Sequence, residues 1–570
     1  MSVIAHLPGV RMVTTYRRAW LFKDIVAGLV LSTLLVPQGM AYAELAGLPA
    51  VTGLYTSVLC LLGYAIFGPS KVLVLGPDSS LGPMIAATIL PLVGAGGDPV
   101  KAVALASILA LLTGVTMVVA GVGKLGFVAD LLSKPTMLGY MNGLSLTILI
   151  SQLPKLLGFS VDSDNFMGDV VGLFKGVAGG EVVPAAAGIG ILSLVIVMVL
   201  PKLLPKVPAI LLAVLVAIGI SAAAGLAGYG VTLVGVLPQG FPSLTRPDIA
   251  MSDVVPLLIG AAGIALVSLT DTVSTATAFA SRRGEEVDAD KEIIGIGASN
   301  IAAGLFQGFP VSTSGSRTAV AETAGAKTQV TGLVGAGVIT LMLVAFPALL
   351  AYLPQPTLGA VVIAASLTLA DIPATRRLLR QRPMDFTIAM TAFLGVAILG
   401  VLPGILVAVA ISVAAVFRRV WWPHQALLGQ VEGVPGFHDR EQFPDARVLP
   451  GCTLFRFAGP LIFANARNFD EQIRKLAESV PSPTWIIVTA EPITDMDTTA
   501  CDMLNALTLD LDGRGQRLVW AEVKQPVKDK MDRYGISKAI PEDRYFPTIE
   551  AAVAAYQELS GELWQNPPAT

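Results

Sequence analysis

Uncharged apolar runs alternate with short polar connectors from Ile25 to Val416, whereas from about Arg440 onward charge recurs every few residues. A helix rises 1.5 Å per residue, so a run of about 20 apolar residues crosses a bilayer. The pattern predicts spans over Ile25–Ala43, Ala50–Phe67, Ala102–Gly123, Pro135–Gln152, Val182–Leu200, Ala209–Leu226, Val254–Ala280 and Ile293–Phe309. Thr328–Ala370 is uncharged and long enough for two spans divided at Pro354-Gln-Pro356, and Phe386–Phe417 holds a final pair divided at Leu402-Pro-Gly404. Two shorter runs, ending near Leu90 and beginning near Arg317, bring the count to fourteen, or seven plus seven. The Pro-punctuated basic connector Pro201–Pro208 is the expected repeat boundary, giving repeats of about 25–205 and 206–420.

The two short runs share a grammar. In Val74-Leu-Gly-Pro-Asp-Ser-Ser-Leu-Gly-Pro-Met84 and in Phe306-Gln-Gly-Phe-Pro-Val-Ser-Thr-Ser-Gly-Ser-Arg-Thr-Ala-Val320, a Gly/Pro break and hydroxyl residues precede a helix start. Ser312, Thr313, Ser314, Gly315 and Ser316 supply N-cap chemistry, and Ser79 and Ser80 do so in the first run. The first amides of such helices lack intrahelical partners and carry the positive end of the dipole. With the Arg317 guanidinium they form an anion site, the two half-helices pointing N-terminus to N-terminus. The alternative is an ordinary Gly/Ser turn at the membrane surface with Arg317 snorkelling. Pro37-Gln38 interrupts the first span and leaves an amide side chain at the break.

Asp271 is the other charge in an apolar helix, within Ala265-Leu-Val-Ser-Leu-Thr-Asp-Thr-Val-Ser-Thr-Ala-Thr-Ala-Phe279. A lone carboxylate in lipid is neutralised by a proton or a cation, so Asp271, with the Thr275 hydroxyl one turn on, is the candidate coupling-ion site. A structural ion pair with Arg317 is the alternative role.

Composition narrows the class. The chain has 570 residues, 54% hydrophobic and 14% charged, with net charge −3 and no long basic run, which gives no reason to invoke nucleic acid. Cys60, Cys452 and Cys501 are far apart and read as small core residues; His6, His424 and His438 have no metal-ligand spacing, so neither disulfides nor a metal is expected. Residues 1–24 carry Arg11, Arg17, Arg18 and Lys23 beside Trp20 and read as a cytoplasmic lead-in, without a cleavage site ahead of the first apolar run. Counting alternate connectors places 19 Lys and Arg on one side, including Lys206, and only Lys101, Lys155, Lys175 and Arg246 on the other. The positive-inside rule then makes both termini cytoplasmic, as in a multi-pass plasma (inner) membrane protein.

Val36-Pro-Gln-Gly-Met-Ala-Tyr-Ala-Glu-Leu-Ala-Gly-Leu-Pro49, with Gly53-Leu-Tyr-Thr-Ser57, resembles the first-helix signature of the SulP (sulfate permease) anion transporters. Ser316-Arg-Thr-Ala-Val320 and Ala324-Gly-Ala-Lys-Thr-Gln329 resemble that family's tenth-helix signature. The resemblance covers nearly the whole chain. It implies a polytopic α-helical membrane protein with a 7+7 inverted-repeat, uracil-permease-like transporter fold (14 segments), in which a core domain moves against a gate domain. It also implies a homodimer and an anion held between the third and tenth half-helices, near Gln38 and Tyr42 of the first helix, with Asp271 at the position of the eighth-helix acid. Many members have glutamate there. Asp78 departs by adding negative charge where an anion should sit, and reads as a first-turn residue compensating the helix dipole.

Beyond Trp421-Trp422-Pro423 and a linker over 421–439, residues 440–570 alternate strand-like and helix-like runs: strands at Cys452–Phe457, Thr484–Thr489 and Arg517–Val523, helices at Phe469–Val480, Thr499–Leu511 and Ile549–Leu559. This predicts a small cytoplasmic α/β domain resembling a STAS domain. Ile493-Thr-Asp-Met-Asp-Thr-Thr-Ala500 matches the loop that carries a phosphorylatable hydroxyl in the antagonists of that family; Thr498 or Thr499 reads here as a helix N-cap. No nucleophile constellation or phosphate-binding glycine motif points to an enzyme, and no cofactor is implied beyond a coupling H⁺ or Na⁺. The expected function is secondary active transport of a small inorganic anion, sulfate first, with Na⁺-coupled bicarbonate or H⁺-coupled C4-dicarboxylate symport as alternatives. An uncoupled anion channel or exchanger and a membrane anion receptor are the readings of another class.

Overall fold

The computed structural model describes residues 8–94, 97–127, 133–161, 163, 166–204, 207–245, 250–536 and 539–566. Lys206 and Arg246, counted above for orientation, lie outside the described residues, as do His6 and residue 205 of the expected repeat boundary. The chain divides into two compact units, Met1–Ser412 and Val413–Thr570.

The membrane segments begin with α1 (Leu21–Leu45), α2 (Ala50–Phe67), α3 (Gly82–Val93), α4 (Pro99–Val122), α5 (Lys134–Leu157), α6 (Pro184–Leu203) and α7 (Ala209–Ala224). They continue with α8 (Met251–Ser281), α9 (Ala289–Leu305), α10 (Gly315–Thr323), α11 (Val330–Ala345), α12 (Gln355–Leu369), α13 (Pro383–Leu399) and α14 (Val401–Trp421). Helices Pro8–Thr14, Phe166–Ala178 and Ile372–Gln381 lie between or before them. Short strands β1 (Leu75–Gly76) and β2 (Ser312–Thr313) precede α3 and α10. The strand and half-helix come third in each set of seven, which assigns α7 to the first set. The repeat boundary therefore falls between Ala224 and Met251 rather than at 205–206, because the proline connector only separates α6 from α7.

The two sets interleave. α1, α2, α4, α8, α9 and α11 pack on one another, and α5 packs with α12 and α13 while α6 packs on α12 and α7, so each group draws members from both repeats. Pro37 does not break α1, which is continuous; the missing amide leaves the Thr33 carbonyl without its helical donor in an otherwise intact ladder. The final pair divides at Gly400, with φ 91°, rather than at 402–404, and Pro403 sits in the first turn of α14, where a missing N–H costs little. The first helix likewise begins at Leu21, inside the expected lead-in.

Close helix contact depends on small residues, since lipid provides no hydrophobic drive between spans. A Cβ at Gly53 of α2 would stand 1.8 Å from the Gly39 carbonyl oxygen of α1. Gly53→Ala must push these helices apart beside the site described below, and overpacking of this kind costs about 1–3 kcal/mol. Thermal unfolding in detergent is expected to show a lowered Tm for Gly53→Ala and none for Gly337→Ala, whose Cβ would meet open space.

The second unit carries a six-stranded sheet, order β4-β3-β5-β6-β7-β8: β3 (His424–Gln430), β4 (Phe437–Asp439), β5 (Cys452–Ala458), β6 (Trp485–Thr489), β7 (Arg517–Ala521) and β8 (Tyr545–Phe546). β5 to β8 are parallel, and β3 is antiparallel to both β4 and β5. The expected linker 421–439 is thus part of the sheet, since His424–Gln430 pairs with β4 on one side and β5 on the other. Helices Ala466–Ala477 and Thr498–Gly513 cover one face through Phe469 and Leu504, with Phe469 stacked on Trp520 of β7, and Ile549–Ser560 covers the other. The cap of Thr498–Gly513 is Asp497, which accepts from the Ala500 amide at 2.9 Å; Thr498 and Thr499 are its first residues and not its cap.

Candidate functional site

Both repeats break their third segment at the same place, and the breaks satisfy one another. β1 and β2 pair antiparallel, Leu75 opposite Thr313 and Gly76 opposite Ser312. Backbone groups freed inside a membrane must find partners within the protein. The Ser314 amide donates to the Val74 carbonyl at 3.1 Å, and the Val74 amide donates to Thr318 Oγ1 at 3.0 Å. Side chains on intact helices stitch the remainder. Thr56 Oγ1 accepts from the Phe309 amide at 3.1 Å, Asn300 both accepts from the Val311 amide and donates to its carbonyl, and Ser268 donates to that same carbonyl. Ser107 donates to the Gly308 carbonyl, and the Gln329 side-chain amide donates to the Ser70 and Leu73 carbonyls ahead of β1.

β1 leads into α3 and β2 into α10, so each half-helix has its N-terminal end toward the crossing. Ser314 caps α10, its Oγ accepting from the Arg317 amide at 3.4 Å and lying 3.1 Å from Ser316 Oγ. The helix thus starts at Gly315, two residues before Arg317, because the cap residue precedes it. Gly315 and Ser316 are exposed. At α3 the expected serine caps are not used. No side chain caps that helix; in the turn before it Asp78 Oδ1 accepts from the Ser80 amide at 2.9 Å and from Ser80 Oγ at 2.7 Å, and Ser79 and Ser80 are buried in that turn.

Arg317 is 1% exposed, and its Nε, Nη1 and Nη2 atoms make no hydrogen bond. Its one ion-pair partner among the described residues is Asp78, whose Oδ2 is 3.7 Å from Nη2. The pairing with Asp271 weighed above is not formed. Gly76 makes room for the guanidinium: a Cβ there would stand 2.9 Å from Nη1. Tyr42, buried on α1, lies within electrostatic reach of Asp78 and Arg317 and beside Ser79, and Gln38 is buried one turn earlier on the same helix. Tyr42, Ser79, Ser80, Asp78 and Arg317 are therefore brought together around the crossing.

Asp271 and Thr275 lie on the stripe of α8 that also carries Ser268 and Thr272. That stripe faces β2 and the start of α10: Ser268 bonds to Val311, Thr313 Oγ1 is 3.5 Å from Thr272 Oγ1, and a Cβ at Gly315 would sit 4.0 Å from the Thr275 methyl. Asp271 is half-buried there, within electrostatic reach of Asp78 and of Tyr140 on α5. Tyr140, 2% exposed, donates to Met84 Sδ of α3 at 3.3 Å and closes the site from the second helix group. Sequence reasoning passed over Tyr140, Thr56, Ser107 and Asn300; the available signal was a polar side chain inside an apolar span, which in lipid needs a partner. A separate cavity of about 1000 Å³ is lined by Glu44, Tyr55, Val103, Leu237, Gln307 and Gln355, among others, and includes none of the crossing's charged residues.

The arrangement is chemically suited to a small anion, combining oriented amides, hydroxyls and a guanidinium whose hydrogen bonds are unmade. The likeness to known proteins agrees. A probable sulfate transporter of Mycobacterium tuberculosis (strain CDC 1551 / Oshkosh) is 39% identical over 558 residues, spanning 98% of this chain and 99% of that one. Sulfate transporter 4.1, chloroplastic, of Arabidopsis thaliana is 29% identical over 96% of this chain and 82% of its own. The fold matches murine Solute Carrier 26 family member A9, an anion transporter solved in the inward-facing state, with a TM-score of 0.89, 24% identity and coverage of 98% of this chain and 94% of that one. It also matches the transmembrane domain of the cyanobacterium bicarbonate transporter BicA, with a TM-score of 0.59, 22% identity and coverage of 70% and 98%. Residues 443–552 match the STAS domain. With residues 21–392 matching the Sulfate permease family, this chain belongs to that family of multi-pass membrane anion transporters.

Proposed function

We propose that this protein is a secondary active transporter that carries sulfate inward across the plasma membrane, coupled to H⁺ or Na⁺. The observation that carries the reading is the buried Arg317 guanidinium, whose three nitrogens hydrogen-bond to nothing in the protein while two half-helix ends converge beside it. A buried cation without hydrogen bonds is costly, and a desolvated anion supplies the missing acceptors. Kinship to sulfate transporters supports sulfate over other small anions. Asp271 and Thr275 are the proposed coupling-ion site, and Gln38, Tyr42, Ser79, Ser80, Ser314, Gly315, Ser316 and Arg317 the proposed anion site. The protein works as a homodimer with both termini cytoplasmic; a monomeric mass by light scattering in detergent would count against that assembly.

Uptake of radiolabelled sulfate, bicarbonate and fumarate into proteoliposomes, with H⁺ and Na⁺ gradients imposed separately, tests the reading. Gradient-driven sulfate accumulation is expected. Accumulation of bicarbonate or fumarate instead reassigns the substrate, and tight binding without flux makes the protein a receptor. Asp271→Asn is expected to abolish accumulation while equimolar counterflow persists, because an amide neither takes up nor releases a coupling cation. Unchanged accumulation in that variant sinks the coupling role.

A further inference from the structure

We infer that the Tyr140 hydroxyl is a ligand of the bound anion, contributed by the helix group that does not carry the half-helices. This rests on the transport reading above and adds a residue to its proposed anion site. Tyr140 is 2% exposed on α5, and among the described residues its hydroxyl donates only to Met84 Sδ, at 3.3 Å. A thioether sulfur is a weak acceptor, so a buried phenol paired with one keeps most of its donor capacity in reserve. Leaving a buried donor poorly paired is unfavourable, and inside a membrane such a group marks function. Neighbouring polar side chains of α5 have strong partners. Asn142 donates to the Thr375 hydroxyl at 2.8 Å and accepts from the Asp371 amide at 2.9 Å, and Ser145 donates to the Ser366 carbonyl at 2.7 Å.

Position decides what the phenol serves. Met84 lies in the first turn of α3, so the hydroxyl stands at the start of that half-helix. Tyr140 is within electrostatic reach of Asp78 and Asp271, as Tyr42 of α1 is of Asp78 and Arg317, so a phenol flanks the crossing from each helix group. A tetrahedral oxyanion seated on the Arg317 guanidinium and the half-helix amides turns other oxygens toward α5, where the Tyr140 O–H donates to one of them. The ring is rigidly mounted. A Cβ at Gly139 would stand 1.9 Å from the Ala389 carbonyl oxygen of α13, and one at Gly143 2.9 Å from the Phe393 carbonyl oxygen, so the α5 backbone on both sides of Tyr140 lies directly on α13. Tyr140 therefore travels with α5 and α13, whereas Met84 and Arg317 travel with the half-helices. As one group rocks against the other, the hydroxyl exchanges the Met84 sulfur for the anion, and the substrate bridges the two groups. Only hydrogen-bond partners change; no proton is transferred.

The test is equilibrium binding of radiolabelled sulfate to full-length protein in detergent, comparing wild type with Tyr140→Phe and Met84→Leu. Tyr140→Phe keeps the ring and removes only the hydroxyl. It is expected to lower sulfate affinity by about tenfold, the effect of one hydrogen bond to a charged acceptor. Met84→Leu conserves volume and removes only the sulfur, so affinity should stay within about twofold of wild type. A phenol that merely braces α3 predicts otherwise, because either substitution breaks the Tyr140–Met84 contact and both would weaken binding alike. Equal losses in the two variants overturn the inference, as does wild-type affinity in Tyr140→Phe, while sulfate transport by the wild type stands. Should Tyr140→Phe fail to fold, a fluorotyrosine placed at position 140 supplies a fluorine resonance that saturating sulfate is expected to shift, and an unmoved resonance overturns the inference. A wild type that binds no sulfate overturns both this inference and the transport reading.

Discussion

Replacing Arg317 by alanine is expected to lower sulfate affinity by about ten- to a hundredfold while leaving the protein inserted and folded. A charge-assisted hydrogen bond contributes roughly 1.5 to 3 kcal/mol, and about 1.4 kcal/mol is a factor of ten. The variant keeps the half-helix amides around the β1–β2 crossing but loses the guanidinium, and it leaves Asp78 beside the anion without a counter-charge. Affinity by equilibrium binding and uptake in proteoliposomes should fall together. Arg317→Lys should recover only part, since an ammonium cannot reproduce planar two-point contacts. Gln38→Ala should cost less, as one neutral hydrogen bond. If Arg317→Ala misfolds and Asp78→Asn restores it, the pair is structural and the anion rests on the amides alone. Asp271→Asn should give no such rescue, because the structure shows no ion pair between it and Arg317.

The largest effect on stability is expected at Asp24, far from the crossing in sequence. Its carboxylate is fully buried at the start of α1 and accepts from the Lys327 amide at 2.6 Å, the Thr328 amide at 3.1 Å and the Thr328 hydroxyl at 2.7 Å. The Thr331 and Tyr16 hydroxyls each donate to it at 3.2 Å. All but Tyr16 lie at the N-terminal end of α11, so the carboxylate fills the positive end of that helix and ties the loop after α10 to α1. Asp24→Ala leaves several buried donors unmade. At about 1–3 kcal/mol for each that water cannot reach, a loss of roughly 3 to 5 kcal/mol is expected. Thermal unfolding in detergent should show a far larger fall in Tm than for Gly53→Ala, with Asp24→Asn intermediate. An Asp24→Ala protein as stable as wild type would show that the clamp contributes nothing.

Parts of this were readable early for local reasons. The length of an apolar run sets whether it crosses a bilayer, and proline, glycine and hydroxyl residues act within a few positions of themselves. Both half-helices, the Ser314 cap of α10 and the singular arginine at 317 therefore stood out, as did the alternation of strands and helices after β5. Strand β3 did not, because His424–Gln430 has weak alternation by itself and is a strand through its pairing with β4 and β5. The repeat boundary was misplaced for a related reason: a proline-rich connector marks a turn, whereas symmetry is a property of where β1 and β2 meet.

The sequence by itself determined a membrane protein of fourteen apolar segments with a small α/β domain after them, and that two helices begin in its interior, where the proposed anion site lies. Those properties follow from chain-local physics: bilayer thickness, backbone hydrogen bonding and the dipole at a helix start. Tertiary structure alone decided which carboxylate meets Arg317, that Asp24 holds the loop before α11, and that Thr56, Ser107, Ser268 and Asn300 close the hydrogen bonds the breaks leave open. Each of these pairs residues from distant segments, and an electrostatic or hydrogen-bonding partner is chosen by distance in space, which the folded packing of α1, α2, α4, α8 and α9 around the crossing sets.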